Sequence, residues 1–184
     1  MPTTRGKAAE RGADGTLVGQ VERLRIETLR ESDDFLAFGE VFQVSEPMND
    51  AGDRIVTSYL GTADEPGLDA VLGFPLYEEL SRVIGGGQPT RHLAYRLAKA
   101  SDTSLYRNPF ITPNFLDNHD VQRFLAASSE VAFEQALLVL FTVPGIPVVF
   151  QGTEQAFSET RASLFAAGWM SGGVDHFDTA SAHY

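Results

Sequence analysis

The 184-residue sequence contains no cysteine, which excludes disulfide cross-links and thiolate metal sites. It is also poor in cations. Fourteen Lys and Arg stand against 25 Asp and Glu, a formal charge of −11. That balance argues against nucleic acid, whose phosphates need a basic surface, and it is compatible with an uncharged substrate such as a sugar. No apolar run approaches the roughly 20 residues of a membrane-spanning helix. The first residues, MPTTRGKAAERG, lack the apolar stretch of a signal peptide, and the sequence names no compartment. No fixed-period repeat or low-complexity tract is visible.

What is present suits one domain or a large piece of one, because 43% apolar residues can fill a sizeable core. Residues 1–15 are polar and rich in Gly and Ala. From residue 16 to 30 a helical period places Leu17, Val21 and Leu24 on one face. Residues 35–41 (FLAFGEV) read as a buried strand whose one charge, Glu40, lies at its carboxyl end. Ile55, Val56, Tyr59 and Leu60 fit a short helix, and residues 70–74 (AVLGF) a second strand. Leu76, Leu80, Val83 and Ile84 make an amphipathic helix that Gly85-Gly86-Gly87 ends. A short helix follows over residues 92–100, then a third strand over 110–116, with Pro113 suggesting a bend. Ser128 or Ser129 can cap the next helix, whose expected buried face is Phe133, Leu137, Leu140 and Phe141. Residues 147–151 (PVVFQ) form the fourth strand, followed by Gly152-Thr153-Glu154-Gln155 and a mixed, Gly-rich tail.

Helices thus alternate with strands that are apolar throughout, which means an α/β fold with a parallel sheet covered by helices. Four strands fit a small doubly wound sheet or half of an eight-stranded barrel. A complete barrel takes about 250 residues.

The segment that organises the chain is residues 109–123, PFITPNFLDNHDVQR. An apolar run stops on Asp117, Asn118, His119 and Asp120. Burying a strand that ends in such groups is costly unless they pair or work. In parallel α/β folds the carboxyl ends of strands carry the chemistry. Three of these ends bear carboxylates: Glu40, the Asn118-His119-Asp120 turn and Glu154. Converging carboxylates raise one another's pKa, so one can donate a proton while another stays ionised, as cleavage of a glycosidic bond requires. The plain alternative is that these residues cap helices and solvate loops, and for Glu154 the two readings weigh equally. A His-Asp pair also occurs in metal-dependent phosphohydrolases, but such sites need further ligands. His92 opens a surface helix, and His176 and His183 lie in the tail, so no metal site is assigned. Trp169, Phe165, Phe177 and Tyr184 could make a sugar-stacking surface, though packing under a loop is the simpler account.

FLDNHD at residues 115–120, GEVF at 39–42 and GIPVVFQGTEQ at 145–155 together resemble the α-amylase family of glycoside hydrolases. Their order and spacing are similar to the fifth, seventh and eighth strands of that family's barrel. AVLGFPL at 70–76 resembles the sixth, where relatives often carry Asp in place of Gly73. The resemblance implies a partial TIM (β/α)8 barrel over residues 35–184, the C-terminal half of the catalytic unit, preceded by an atypical segment, 1–34, with one helix. It implies retaining chemistry on α-glucosidic bonds, with an α-glucan or maltooligosaccharide as partner. Glu40 would match the acid/base, and Asp120 the carboxylate that binds ring hydroxyls and stabilises the transition state. His119 would bond the same sugar, Asn118 would position the turn, and Glu154 would border the site.

The chain also departs from the family pattern. The nucleophile should be an Asp in a pattern like G-F-R-[IV]-D before Glu40. Gly12-Ala13-Asp14-Gly15 looks like its lead-in, but Gly19 then stands at the nucleophile position. Arg25 and Glu27 superficially fit, yet they leave no room for a return helix before Glu40. No nucleophile is found. The family's calcium site would lie in the absent N-terminal half, so no cofactor is expected in this chain. Family members are often secreted or periplasmic. These departures imply a fragment inactive alone. The alternative is a non-catalytic sugar-binding remnant or pseudoenzyme, with a metal-dependent phosphohydrolase ranked below both. Open sheet edges, with Phe38, Leu72 and Val149 meeting water, imply self-association.

Overall fold

The computed structural model describes residues 36–177. The expected helix over 16–30, both nucleophile candidates and the proposed 1–34 segment lie outside them. The elements in order are β1 (Phe38–Gly39), α1 (Ala51–Thr57), β2 (Ala70–Val71), α2 (Phe74–Leu80), α3 (Thr90–Ala100), β3 (Pro113–Phe115), α4 (Glu130–Thr142) and β4 (Ile146–Val148). Short 3-10 turns follow α1, precede β3 and α4, and close the loop after β4.

The strands are parallel, as the alternation requires, but shorter than the apolar runs. β1 pairs β2, and β3 pairs β4, in two separate two-stranded sheets. The Gly73 amide donates to the Pro113 carbonyl at 2.9 Å and joins them at one point. The expected strand at 110–116 shortens for a local reason. The Asn108 side chain accepts from the Phe110 amide and starts a 3-10 turn over Pro109–Ile111. The strand begins only at Pro113, where a missing amide costs least.

Asn114 sets the spacing between neighbouring strands. A Cβ at either Gly73 or Gly145 would collide with its side chain. Its Nδ2 donates to the Pro144 carbonyl at 3.0 Å. Gly145 also has φ +125°, which only glycine adopts without strain. A side chain at position 73 therefore has no room unless Asn114 moves.

α2 starts at the strand exit with Pro75 in its first turn, where a missing amide is harmless. One π-helical turn, Ser81–Gly85, carries it to the glycine triplet. Leu76 and Leu80, one turn apart, pack with Leu116 and Phe124 against Phe133, Ala136 and Leu140 of α4. Ser129 caps α4, its Oγ accepting from the Ala132 amide at 3.2 Å. α4 is apolar on every side, so periodicity alone could not choose its buried face. The expected Phe141 is 57% exposed, because the face 133/136/140 turns inward and Phe141 lies about 100° away from Leu140.

A second cluster, Val56, Leu60, Val71 and Tyr106, holds α1 to β2. Beneath it lies a buried polar network. Asp53 accepts from Arg96, from Tyr106 Oη at 3.0 Å and from Ser45 Oγ at 3.2 Å. Of the three residues expected to meet water, Phe38 and Val149 are exposed. Leu72 is half-buried against Phe74, Phe115 and Val121.

Candidate active site

β1 ends at Gly39, and Glu40 follows as an exposed side chain. β3 ends at Phe115, and the chain runs through buried Leu116 and Asp117 into the exposed pair His119 and Asp120. One side-chain ligand atom from each of Glu40, His119 and Asp120 lies within 4.8 Å of the others. Two loops distant in sequence thus meet at the same end of the strands.

The turn is self-supporting. Asn118 Oδ1 accepts from the Asp120 amide at 2.8 Å and the Val121 amide at 3.1 Å. This is the short-range bonding for which Asn suits turns. It fixes the backbone so that His119 and Asp120 project side by side. His119 Nε2 lies 3.3 Å from Asp120 Oδ2.

Asp117 behaves differently from Asp120. It is buried, and its Oδ1 accepts from Arg123 Nη1 at 3.3 Å and Thr153 Oγ1 at 2.8 Å. Its Oδ2 accepts from the Phe124 amide at 3.1 Å. Arg123, also buried, donates to the Gln151 carbonyl at 2.5 Å and the Glu159 carbonyl at 3.1 Å, and lies over the Phe150 ring at 4.2 Å. This pair ties the end of β3 to the loop after β4. Of the two acids at the strand end, one is structural and one is available.

Glu154 turns back on its own loop, where its Oε2 accepts from the Gly152 amide at 2.8 Å. It is not part of the group formed by Glu40, His119 and Asp120. A residue that sequence reasoning passed over completes the rim. Arg161 donates from Nη2 to Asp120 Oδ1 at 2.6 Å and from Nε to the His119 carbonyl at 2.7 Å. Its only sequence signal was a lone cation in an acidic tail.

Glu40, His119 and Asp120 have the donor chemistry for a cation, but Arg161 already sets a positive charge against Asp120. Calcium takes six to eight oxygens, and a trio with an imidazole and an adjacent guanidinium does not fit it. What the trio offers is a proton donor or acceptor, a fixed carboxylate and an imidazole on an open face.

No protein-family model matches the chain. Individual relatives do. The chain is 38% identical over 100 residues to a β/α-amylase of Paenibacillus polymyxa, covering 50% of this chain and 8% of that protein. It is 35% identical over 95 residues to a cyclomaltodextrin glucanotransferase of Paenibacillus macerans, covering 50% of this chain and 13% of the relative. Among solved structures it is similar to the α-amylase of Geobacillus thermoleovorans in complex with acarbose. There the TM-score is 0.58 at 25% identity, over 74% of this chain and 29% of that one. The chain spans less than a third of each of these three proteins. Similarity to α-amylases and glucanotransferases, in sequence and in fold, thus extends over about half to three quarters of this chain.

Proposed function

We propose that residues 35–184 correspond to the fifth to eighth strands of an α-amylase-type barrel, with residues 1–34 a separate segment, and that they form one wall of a retaining site for α-glucans. The observation that carries this is the convergence of Glu40 with His119 and Asp120 within 4.8 Å at the carboxyl ends of parallel strands. Glu40, exposed at the strand end, is assigned as the acid that protonates the leaving oxygen and later as the base that activates water. Asp120, held by Arg161 and His119, is assigned to bind ring hydroxyls and stabilise the oxocarbenium-like transition state. His119 bonds the same sugar, Asn118 holds the turn and Glu154 borders the site.

Retention needs an attacking carboxylate about 5–5.5 Å from the acid/base. That group is to come from outside the 184 residues, either from adjoining chain or from another polypeptide. Alone, this polypeptide would bind sugar and not cleave it. The second reading, a sugar-binding remnant, is favoured by the same fact, since the residues in hand suffice to bind. The phosphohydrolase reading is disfavoured by Arg161, which takes the position a second cation would need.

NMR titration of the purified chain with maltotriose tests the assignment. The His119 imidazole resonances are expected to shift, and Asp120→Asn to abolish that shift, while no reducing ends are released from starch. Unmoved His119 resonances at saturating sugar would refute the site.

A further inference from the structure

The outer edges of β1 and β4 carry backbone groups whose direction follows from the bonds already made, because successive residues of a strand turn these groups to opposite sides. On β1 the Gly39 carbonyl accepts from the Leu72 amide at 3.0 Å and the Ala37 carbonyl from the Ala70 amide at 3.3 Å, both towards β2. The amide and carbonyl of Phe38 therefore turn to the other side. On β4 the Ile146 amide donates to the Thr112 carbonyl at 2.8 Å, towards β3. The Pro147 carbonyl and the Val149 amide therefore turn away from β3. Among the described residues no backbone group bonds to any of these four.

The two edges are complementary. Their two donors and two acceptors match a parallel bridge with Phe38 opposite Val148. In it the Phe38 amide donates to the Pro147 carbonyl and the Val149 amide to the Phe38 carbonyl. The amide that Pro147 lacks is not needed, whereas a register with Phe38 opposite Ile146 would need it. A register with Glu40 opposite Val148 would set a charge against an apolar side chain. The side chains agree with the first register. Val71 and its partner Gly39 face α1, so Phe38 faces the opposite side of the strands. Val148 pairs Phe115, whose neighbour Leu116 packs against α4, so Val148 faces away from the helices too. Phe38 and Val148 are 53% and 38% exposed.

One copy cannot make this bridge with itself, because β1 and β4 are outermost in the order β1-β2-β3-β4. The partner must offer an edge like β4 to β1 and an edge like β1 to β4, both running parallel. A second copy does both. Half a turn about an axis along the strands keeps every strand parallel and makes the same contact twice. Eight is also the strand number at which side chains fill a parallel barrel. Residues 36–39 and 145–151 carry no formal charge, so the edges set N–H against C=O without opposing acids, although each chain carries −11.

We propose that two copies of this chain close into one eight-stranded parallel barrel, β4 of each pairing β1 of the other with Phe38 opposite Val148. The inference rests on the half-barrel reading above and names the partner at its open edges.

Sedimentation equilibrium of the unaltered chain tests it, and is expected to give twice the 20.0 kDa chain mass with no larger species. The chain has no cysteine, so introduced thiols report the register. Phe38→Cys and Val148→Cys chains, mixed and oxidised, should cross-link. Neither should link to itself, because like positions lie across the closed barrel. Val149→Pro removes one edge amide from each copy and should weaken the dimer about 20-fold, the loss of two hydrogen bonds. If a cysteine variant fails to fold, the mass of the unaltered chain and the Val149→Pro effect decide. A monomer, a species that grows with concentration, a Phe38→Cys chain that links to itself, or a dimer indifferent to Val149→Pro would each overturn the closed barrel. Any of these results leaves the glucan rim to its own His119 test.

Discussion

Arg161 Nη2 lies 2.6 Å from Asp120 Oδ1, a contact that spans 41 positions of the chain. Both side chains are about half exposed. Arg123 and Asp117, in the next layer down, make the corresponding pair with 0% and 3% exposure. The two acids share the turn after β3 but the pairs differ in solvent, and that difference predicts their energetics. Exposed pairs contribute about 0–1 kcal/mol. Breaking a buried pair costs about 3–5 kcal/mol, because a charge is left without compensation. Urea unfolding should therefore show Arg161→Ala within about 1 kcal/mol of the parent. Arg123→Met should lose about 3–5 kcal/mol. Equal effects would mean that Asp117 is not the anchor of this turn.

Tyr106 predicts an alkaline limit. Burial raises its pKa well above the usual tyrosine value, and the Asp53 charge and hydrogen bond add to the rise. Tyr77 is raised in the same direction, chiefly by burial. Below about pH 10 both folded and unfolded chains keep these protons. Above it the unfolded chain releases them while the folded chain retains them, so stability falls as pH rises. For Tyr106 the fall approaches about 1.4 kcal/mol per pH unit. Tyr106→Phe should lose about 1 kcal/mol at neutral pH, from the missing bond to Asp53, and should flatten the alkaline limb. An unchanged alkaline slope would contradict this.

These two networks mark where sequence reading ended. The grouping of Glu40 with His119 and Asp120 at one end of the strands was legible because polar groups closing apolar runs are costly without a reason. The helix start at Ser129-Glu130 was legible from cap chemistry, whereas α2 begins at Phe74, which the apolar run had placed in the preceding strand. Arg96 was not. It sits on α3 between Leu93 and Leu97, on the face that packs inward, and its burial depends on Asp53, 43 positions earlier. Arg161 lay in a tail without periodicity. The strands were overextended because apolar content reports burial, whereas strand length depends on hydrogen-bonded partners. Only two or three residues of each run find them.

The sheet edges predict association. Phe38 is 53% exposed in β1, and Val149, beside β4, is 43% exposed. Apolar strand edges of this kind recruit other chains, and edge lysines suppress it. Light scattering should find the parent chain larger than a monomer, and Phe38→Lys with Val149→Lys should lower its mass. A monodisperse monomer would refute the open-edge reading.

The Ser129 cap gives a local control. Ser129→Ala should destabilise the chain by about 1 kcal/mol, the usual value of an N-cap. Ser128→Ala removes only a bond from its Oγ to the Phe124 carbonyl and should cost less. Reversed order in urea unfolding would assign the cap to Ser128.

The central claim is that this chain brings the acid/base and the stabilising carboxylate to a site whose nucleophile comes from elsewhere. Mixing experiments address it directly. The chain is combined with a separately produced segment carrying the first four strands of an α-amylase barrel, and reducing-end release from maltooligosaccharides is followed. The account predicts no release by either part alone, release by the mixture, and its loss when the chain carries Glu40→Gln, since an acting set of groups fails when one is removed. Clear hydrolysis by this chain alone that survives Glu40→Gln would contradict it.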